Sequence, residues 1–291
     1  MSIQSMPPLL SLRDLAIDFP ARGPGTQGVR PAVTSIGFDI PEGGFVALVG
    51  ESGSGKSLTA LSLLGLLPPG ARRLSGTAIF ENEDIFRLGA APLRALRGSR
   101  IGMIFQEPMT SLNPVLTVGS QIAEVLYLHL GLTRRAAQSR TFELLDAVRI
   151  NDPRRIANAY PHELSGGMRQ RVMIAMAIAC HPRLLIADEP TTALDVTIQA
   201  QILELIDSLR AELSMAVLLI THDLDIVAQW ADRAVIARAG QVVEALDASR
   251  LFTHAQAPYT RALLAASPRQ GKVRHYTDGP LTELPAIMGE A

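Results

Sequence analysis

The sequence predicts an α/β fold whose mixed sheet has N-terminal antiparallel strands, a parallel core and an inserted α-helical subdomain. Three observations lead to this fold class. Strand-like runs at 9–19 and 33–40 follow each other early in the chain, which favours antiparallel pairing. Between residues 164 and 230, strand-like and helix-like segments alternate, which favours a parallel sheet. Residues 107–163 begin with proline breaks and continue into helical stretches, which indicates an insertion.

Composition narrows the class of protein. The 291 residues suffice for one large domain or two small ones, and 27 basic against 28 acidic side chains leave a net charge of −1. So balanced a charge does not indicate nucleic acid as the main partner. The single cysteine, Cys180, excludes an internal disulfide or a four-thiolate cluster. The longest apolar run, 172–180, is far shorter than the ~20 residues of a membrane-spanning helix, and residues 1–8 show no secretory signal.

The elements follow in order from the apolar patterns. Glycines and prolines mark a loop at 20–31, and the apolar run 45–49 predicts a buried strand. A helix at 58–67 ends at two prolines. A further strand at 101–105 precedes helices at 118–130 and 134–148. The second half predicts a buried helix at 168–179, a strand at 184–187, a helix at 198–213, a strand at 217–220 and a hairpin of 234–238 with 241–245, before a loosely packed tail from 266.

Residues 50–57 carry the pattern G-x-x-x-x-G-K-[ST], which is typical of a phosphate-binding loop when a strand precedes it and a helix follows. Glycines let successive main-chain N–H groups point inward at phosphate oxygens, and the helix N-terminus adds partial positive charge. Lys56 would reach the β- and γ-phosphates, and the Ser57 hydroxyl would bind Mg²⁺. The core is therefore predicted to be that of a phosphate-loop NTPase.

Polar residues at the predicted strand ends supply further chemistry. Asp188 has the setting of a Mg²⁺ ligand, and Glu189 that of a base for an attacking water, although acids at a strand end also occur simply near a helix dipole. His222 and Gln106 follow two other strands. Phe19 could equally stack on an adenine or pack in the core.

A second candidate anion site lies at residues 165–167, where Ser165, Gly166 and Gly167 open a helix. A helix cap explains the serine alone, whereas two adjacent glycines indicate close backbone approach or an unusual φ. One nucleotide could use both anion sites within one subunit, or two copies of the chain could each contribute one. The residues alone leave both arrangements open.

Taken together, these motifs resemble the nucleotide-binding subunit of an ABC transporter. The resemblance assigns Gln106 to the Q-loop, where it contacts the metal and assists catalysis, His222 to the switch histidine, Asp188 and Glu189 to the second Walker motif, and Asp195 to the D-loop. Catalysis is then expected from Glu189, His222, Lys56 and Gln106, and the metal from Ser57, Gln106 and Asp188. The resemblance implies that ATP is bound by Phe19, Gly50, Glu51, Ser52, Gly53, Ser54, Gly55, Lys56, Ser57, Leu58, Ser165, Gly166, Gly167 and Asp195.

Two stretches, 106–114 and 257–264, are similar to the dipeptide/oligopeptide/nickel importer group. The resemblance implies an ATPase domain at 9–265, with a helical subdomain at about 107–180, and a C-terminal extension at 247–291. Many peptide-importer ATPases continue into a cysteine-rich tail, but this chain has no cysteine after Cys180, so no iron–sulfur cluster is expected.

The resemblance also implies partners and a location. Two permease subunits, a second ATP-binding subunit of the same or a paralogous chain, and a periplasmic or lipid-anchored solute-binding protein are expected, with no nucleic acid. The chain would lie peripherally on the cytoplasmic face of a bacterial inner membrane and drive import of di- or oligopeptides. Alternatives are the same role for nickel, opine or another small solute, a non-transport ABC ATPase, and a phosphate-loop kinase, which would leave residues 165–167 unexplained.

Overall fold

The computed structural model describes residues 7–20, 29–106 and 111–266. Within them the strands are β1 (Leu10–Pro20), β2 (Val29–Ile40), β3 (Phe45–Val49), β4 (Arg72–Phe80), β5 (Glu83–Asp84), β6 (Ile101–Ile104), β7 (Leu184–Asp188), β8 (Ala216–Thr221), β9 (Arg233–Arg238) and β10 (Gln241–Asp247). The helices are α1 (Lys56–Leu63), α2 (Ala90–Leu96), α3 (Val118–Leu130), α4 (Arg134–Ala147), α5 (Pro153–Ala157), α6 (Gly166–Ile178), α7 (Val196–Leu213), α8 (Leu224–Trp230), α9 (Leu251–His254) and α10 (Pro258–Ala266). These strands form one sheet in the order β5-β4-β1-β2-β10-β9-β3-β8-β7-β6.

The parallel core of the sheet positions the candidate site. β3 pairs in parallel with β8 and β9, and β7 pairs in parallel with β8 and β6. Every residue of β3, β7 and β8 is buried, which explains why each of these strands is an almost unbroken apolar run. Because the strands run in parallel, the residues that follow β3, β8, β7 and β6 meet at one edge of the sheet.

An antiparallel arm lies beside this core. β1 pairs with both β2 and β4, and β2 joins the core through a parallel pair between Ser35 and Gln241 of β10. β9 and β10 form a hairpin, and the turn residues Ala239 and Gly240 have φ values of 47° and 79°. Positive φ at both turn positions is what a two-residue hairpin turn of type I′ requires. The predicted mixed sheet and hairpin are confirmed.

Helices α3 to α6 form the layer that follows β6 in the chain. Apolar side chains such as Ile122, Leu126 and Leu145 pack with the buried face of α6 in one core cluster, which also takes in β7 and α7. The helix predicted at 118–130 has those bounds. The segment 168–179, which is apolar on nearly all sides, lies mostly in the buried helix α6, as expected. The proposed limits of the helical subdomain, about 107–180, include residues 107–110, which lie outside the described part of the chain.

The structure corrects the first predicted helix. The sequence predicts it at 58–67, but α1 runs from Lys56 to Leu63 because Gly65, with φ +60°, follows the C-cap residue Leu64. The start two residues earlier places Lys56 in the first turn.

The short helices α2, α5, α8 and α9 carry too little periodicity to have been predicted. Three further expectations lie wholly or partly outside the described residues, namely the absence of a signal at 1–8, the loop at 20–31 and the tail after 266. No helix among the described residues is long and apolar enough to cross a bilayer.

Helix α10 is held against the hairpin by Glu244 of β10. The Glu244 carboxylate accepts hydrogen bonds from the main-chain N–H groups of Gln256 (2.7 Å) and Ala257 (3.2 Å), immediately before the helix. Thr260 is fully buried and Tyr259 is 5% exposed, so the first turn of α10 belongs to the core. The stretch 257–264 that resembles the importer group is therefore a packed helix.

The Glu244 contact predicts a pH-dependent contribution to stability. Burial raises the pKa of Glu244, but the hydrogen bonds from the Gln256 and Ala257 N–H groups, the nearby Thr260 hydroxyl and the Arg261 charge outweigh it, so that the pKa is lowered. A lowered pKa stabilises the fold above the unfolded-state value of about 4.3, and this stabilisation is lost as pH falls through the folded-state pKa. Glu244→Gln should therefore lower the unfolding free energy by about 1 kcal/mol at pH 7.5, and by less at acidic pH.

Urea unfolding at several pH values from 7.5 downward measures this difference. Glu124→Gln, at an exposed position of α3, is the control and should show no pH-dependent difference from wild type. A destabilisation by Glu244→Gln that stays constant with pH would contradict a role for the charge.

Candidate active site

Four neighbouring parallel strands deliver the candidate residues to one edge of the sheet. The loop 50–57 follows β3, and Gln106 follows β6 after one intervening residue. Asp188 ends β7, with Glu189 directly after it, and His222 follows β8. Residues from four separate parts of the chain thus meet because the strand order β3-β8-β7-β6 places them side by side.

The three glycines of the loop differ in their surroundings. A Cβ on Gly50 would lie 2.1 Å from the Ala237 carbonyl oxygen, and one on Gly55, which has φ +95°, would lie 2.8 Å from Val33. Gly53, with φ +82°, has no atom within 4 Å of its Cβ position. Gly50 and Gly55 therefore let the loop pack on the sheet, whereas Gly53 lies on its open side. Glu51 and Ser52 are exposed, Ser54 is buried, and Leu58 is half-buried against the core.

Lys56 lies beneath this loop and is 5% exposed. Its Nζ donates hydrogen bonds to the main-chain oxygens of Gly50 and Glu51, both at 2.8 Å, and approaches Ser54 Oγ at 3.5 Å. Burial lowers the pKa of Lys56, while the negative charges of Glu189, Asp188 and Glu51 oppose that effect. The ammonium group is thus fixed among main-chain acceptors within the field of three carboxylates.

Ser57 and Asp188 face each other across the end of the sheet. The Ser57 hydroxyl donates to Asp188 Oδ1 at 3.1 Å. Asp188 is 4% exposed, and burial raises its pKa; the Ser57 hydrogen bond opposes this shift, the Glu189 charge adds to it, and Lys56 opposes it. A buried carboxylate with a raised pKa favours a cation as a further partner.

Glu189 is held by three side chains. Its Oε2 accepts hydrogen bonds from Gln106 Nε2 (3.0 Å) and Thr192 Oγ1 (2.9 Å), and its Oε1 lies 3.3 Å from His222 Nδ1. Burial raises the pKa of Glu189, but the Thr192 and His222 hydrogen bonds and the nearby positive charge outweigh it, so that the pKa is lowered. The carboxylate is therefore ionised at neutral pH and fixed in orientation.

The backbone at Glu189 is strained. Glu189 has φ +45° and Ala193 has φ +62°, in the left-handed region that side chains other than glycine seldom adopt. The Glu189 N–H donates to the Ile220 carbonyl oxygen of β8 at 2.9 Å, which helps to hold this conformation. Strain of this kind costs on the order of 1–3 kcal/mol and is concentrated at functional sites.

Phe19 lies near the end of β1 and pairs with Arg30 of β2. It is half-buried, and it stands two residues beyond Ile17, whose partner Val33 contacts the Gly55 position. The antiparallel arm thus brings Phe19 to the neighbourhood of the loop. The described contacts favour neither adenine stacking nor core packing.

The second glycine motif lies apart from these residues. Ser165 caps α6, accepting from the Met168 N–H at 3.3 Å, and Ser165 and Gly166 are exposed. A Cβ on Gly167 would lie 2.9 Å from Ile198 Cγ2 of α7, so close packing on α7 explains that glycine, and neither glycine has a positive φ. No contact described for residues 50–57 reaches residues 165–167. Asp195 is exposed and caps α7 by accepting from the Ile198 N–H at 3.0 Å.

Sequence reasoning missed Thr192, which donates directly to Glu189. The signal available was its position three residues after a candidate base, since a serine or threonine there can turn back on the preceding side chain. That spacing is too common to single out one threonine without the strained turn that the structure shows.

The residues present suit Mg²⁺ bound together with phosphates. No group of three or more His, Cys, Asp or Glu side chains within the described residues could hold a metal ion on its own. Ser57 Oγ and Asp188 Oδ1 are hard oxygen donors 3.1 Å apart. Mg²⁺ is commonly held by one or two protein oxygens, substrate phosphates and water, which matches this donor set.

Comparisons with known proteins point to one family. A family model described as ABC transporter matches residues 33–192. The peptidoglycan transport ATP-binding protein YejF of Agrobacterium fabrum is 54% identical over 90% of this chain, which spans only 47% of that protein. A putative peptide import ATP-binding protein of Brucella abortus is 51% identical, covering 97% of this chain and 82% of its own length. The dipeptide transport ATP-binding protein DppD of Bacillus subtilis is 48% identical, covering 91% and 78%.

A solved structure shares the fold. The dimeric post-hydrolysis state of the ATP-binding cassette MJ0796, bound to ADP and Pi, superposes with a TM-score of 0.71 at 27% identity. The match covers 82% of this chain and 98% of that one. The predicted fold class is thereby confirmed.

The opposite pKa shifts of the two neighbouring acids predict opposite effects of neutralisation. A raised pKa means that the folded state disfavours the charge of Asp188, whereas a lowered pKa means that it favours the charge of Glu189. In buffer without nucleotide or magnesium at pH 7.5, Asp188→Asn should raise the urea unfolding midpoint and Glu189→Gln should lower it. Shifts of both midpoints in the same direction would show that one of these electrostatic assignments is wrong.

Proposed function

This chain belongs to the ABC transporter family, and from that premise we propose that it is the ATP-binding subunit of a bacterial importer that takes up di- or oligopeptides through partner permeases. The observation that carries the peptide assignment is the agreement among relatives about 50% identical, whose names specify peptide import, dipeptide transport and peptidoglycan transport. The assignment of a peptide solute rests on the names of these relatives. The site itself gives no information about the solute, since its residues are suited to bind phosphates.

ATP binding is assigned to the loop and its surroundings. The phosphates would lie at the open side of Gly53 and the N-terminus of α1. The Lys56 ammonium group would give up its hydrogen bond to the Gly50 carbonyl oxygen and bind phosphate oxygens instead. Ser57 and Asp188 would hold Mg²⁺, which supplies charge neutralisation when bound, and Gln106 would add an amide oxygen. Phe19 would stack on the adenine ring, and Leu58 would keep α1 seated on the core.

Hydrolysis is assigned to Glu189. Its carboxylate is ionised, fixed by Gln106, Thr192 and His222, and it lies beside the residues proposed to hold the phosphates. It would orient the attacking water and accept its proton. His222 would keep Glu189 in place and support the charge that develops on the phosphate. Lys56 would stabilise the same charge.

A second chain completes the proposed ATP site. Ser165 and Gly166 are exposed at the N-terminus of α6, no contact described for the chain's own loop 50–57 reaches them, and Asp195 is also exposed. The related cassette MJ0796 is dimeric in its ADP-bound structure. Residues 165–167 and Asp195 would therefore meet the nucleotide held by the partner ATP-binding subunit, either a second copy or a paralogous chain.

The permease would dock at a groove beside Gln106. Its volume is about 240 Å³, and its lining is mainly apolar, combining Leu66 and Phe105 with helix residues such as Met173 and Met176. Leu66 and Phe105 are 38% and 41% exposed, so the groove presents apolar surface to a partner. A short helix of one permease subunit would dock at this groove, next to the Q-loop residue Gln106, and the other permease subunit would dock on the second ATP-binding subunit.

The remaining assignments follow from the same premise. The subunit would lie on the cytoplasmic face of the inner membrane, and a periplasmic or lipid-anchored solute-binding protein would deliver the peptide. We propose no iron–sulfur cluster and no nucleic-acid partner. The alternative within the same group, import of nickel, opine or another small solute, would use the same ATP site, so only transport measurements separate the two.

Turnover tests the catalytic assignment. Glu189→Gln should retain ATP binding and lose about 10²–10⁴-fold in turnover, because the positioned base is removed while the phosphate contacts stay. ATP affinity by equilibrium dialysis and phosphate release by the purified chain are the measurements, with Glu124→Gln as the matched control. Turnover within a few-fold of wild type would exclude Glu189 as the base.

Uptake tests the solute. In cells that lack this chain, uptake of a radiolabelled di- or oligopeptide should fall, and the wild-type chain should restore it while Glu189→Gln does not. Radiolabelled nickel is measured in parallel. Unchanged peptide uptake together with impaired nickel uptake would reassign the solute and leave the ATPase role intact.

A further inference from the structure

The phosphate loop packs directly on two elements that lie outside the motif. The Gly240 N–H, in the turn between β9 and β10, donates to the Ser54 carbonyl oxygen at 3.2 Å. β2 lies so close that a Cβ on Gly55 would be 2.8 Å from Val33 Cγ2 and 3.0 Å from the Ala32 carbonyl oxygen. The part of the loop that leads into α1 is therefore held by the turn and by β2.

The hydrogen bond from Gly240 fixes the peptide unit between Ser54 and Gly55. This peptide is trans, so its carbonyl and its N–H point in opposite directions. Because the Ser54 carbonyl oxygen points at Gly240, the Gly55 N–H points away from the turn, and it donates to no main-chain oxygen among the described residues. An N–H group with this direction, directly before a helix, is available to a phosphate oxygen.

The Gly240 carbonyl oxygen is itself held by β2. It accepts hydrogen bonds from the Thr34 N–H (2.8 Å), the Ser35 N–H (3.0 Å) and the Thr34 hydroxyl (3.2 Å). Gly240 has φ +79°, and a Cβ there would lie 2.8 Å from Val33 Cα, so a side chain at this position would push the turn away from β2. Thr34 thus holds the turn with both its main chain and its side chain.

The C-terminal helix holds the same turn at Arg238. The Arg238 guanidinium lies 4.8 Å from the centre of the Tyr259 ring of α10, in cation–π geometry. Tyr259 is 5% exposed, and Glu244 fixes the start of α10 through two main-chain N–H groups. Contacts with β2 and with α10 therefore give the Gly240 N–H a fixed position relative to the loop.

We propose that Thr34 and Gly240 are positioning residues for ATP binding, which orient the Ser54–Gly55 peptide so that the Gly55 N–H donates to a phosphate of the nucleotide. Rotation of this peptide would replace an N–H group by a carbonyl oxygen, which repels a phosphate. This inference rests on the proposed binding of ATP by residues 50–57, and it adds to that site two residues from outside the motif.

Gly240→Ala tests the role of the turn. A methyl group at position 240 would displace the turn from β2, so Ser54 would lose its hydrogen bond and the Gly55 N–H its fixed direction. KM and Kd for ATP should rise about tenfold, as expected for one hydrogen bond to a charged group, while kcat stays within about twofold. Equilibrium dialysis and phosphate release by the purified chain are the measurements.

Thr34→Val tests the hydroxyl with little change of shape, and it gives a result even if Gly240→Ala does not fold. It should raise KM for ATP about threefold, whereas Thr34→Ser, which keeps the hydroxyl, should stay within about 1.5-fold of wild type. In the Gly240→Ala background, Thr34→Val should change KM by less than about 1.5-fold, since its partner has already moved. Thr77→Val, at a half-buried threonine of β4, is the matched control and should leave KM unchanged.

The outcomes separate this inference from the proposed function. Failure of the wild-type chain to bind ATP would refute the function itself. Normal ATP binding by wild type, together with an unchanged KM in Gly240→Ala and Thr34→Val, would refute the positioning role. An equal loss in Thr34→Ser and Thr34→Val, or a fall in kcat with KM unchanged, would show a structural effect only and would also overturn the proposal.

Discussion

Burial of the Lys56 ammonium group is the constraint on which the rest of the site depends. A buried cation is tolerated only when oxygens surround it, and here main-chain carbonyls at Gly50 and Glu51 meet it at 2.8 Å. Those carbonyls point inward only if the loop curls tightly. The curl in turn requires Gly50 against Ala237 and Gly55 against Val33, where no side chain fits. The burial of the Lys56 charge thus explains why Gly50 and Gly55 are glycines, why the loop curls, and why β9 and β2 approach the loop so closely.

Two adjacent acids near this cation differ in their roles because their hydrogen-bond partners differ. Asp188 is buried with one hydroxyl partner, and its charge is disfavoured, whereas Glu189 has three side-chain partners and its charge is favoured. The strained turn at Glu189 sends its side chain toward Gln106 and His222 while Asp188 stays in line with β7. Neighbours in sequence therefore present one carboxylate suited to a metal and one suited to water.

Local patterns in the sequence were enough to predict the strands of the parallel core and the phosphate loop. Buried strands such as β3 are unbroken apolar runs, and the loop residues are consecutive, so no long-range contact is needed to recognise them. The contacts of Thr192 with Glu189 and of Tyr259 with Arg238 could not be predicted. They depend on a strained turn and on a helix that packs back over 20 residues later in the chain, and neither leaves a periodic signal. The start of α1 was misplaced because polar loop residues conceal a helix that begins at Lys56.

The glycines at 166 and 167 have a consequence for how two chains would communicate. Gly167 lets α6 lie against Ile198 of α7, and a Cβ on Gly166 would lie 3.4 Å from Leu194 Cδ2. Leu194 belongs to the segment that joins Glu189 to the cap of α7 at Asp195. The surface proposed to meet the partner's ATP therefore lies against the segment that carries the chain's own proposed catalytic base, Glu189. Because that segment holds Glu189 and Ala193 at positive φ, a shift of α6 against Leu194 would act directly on the backbone that orients the proposed base.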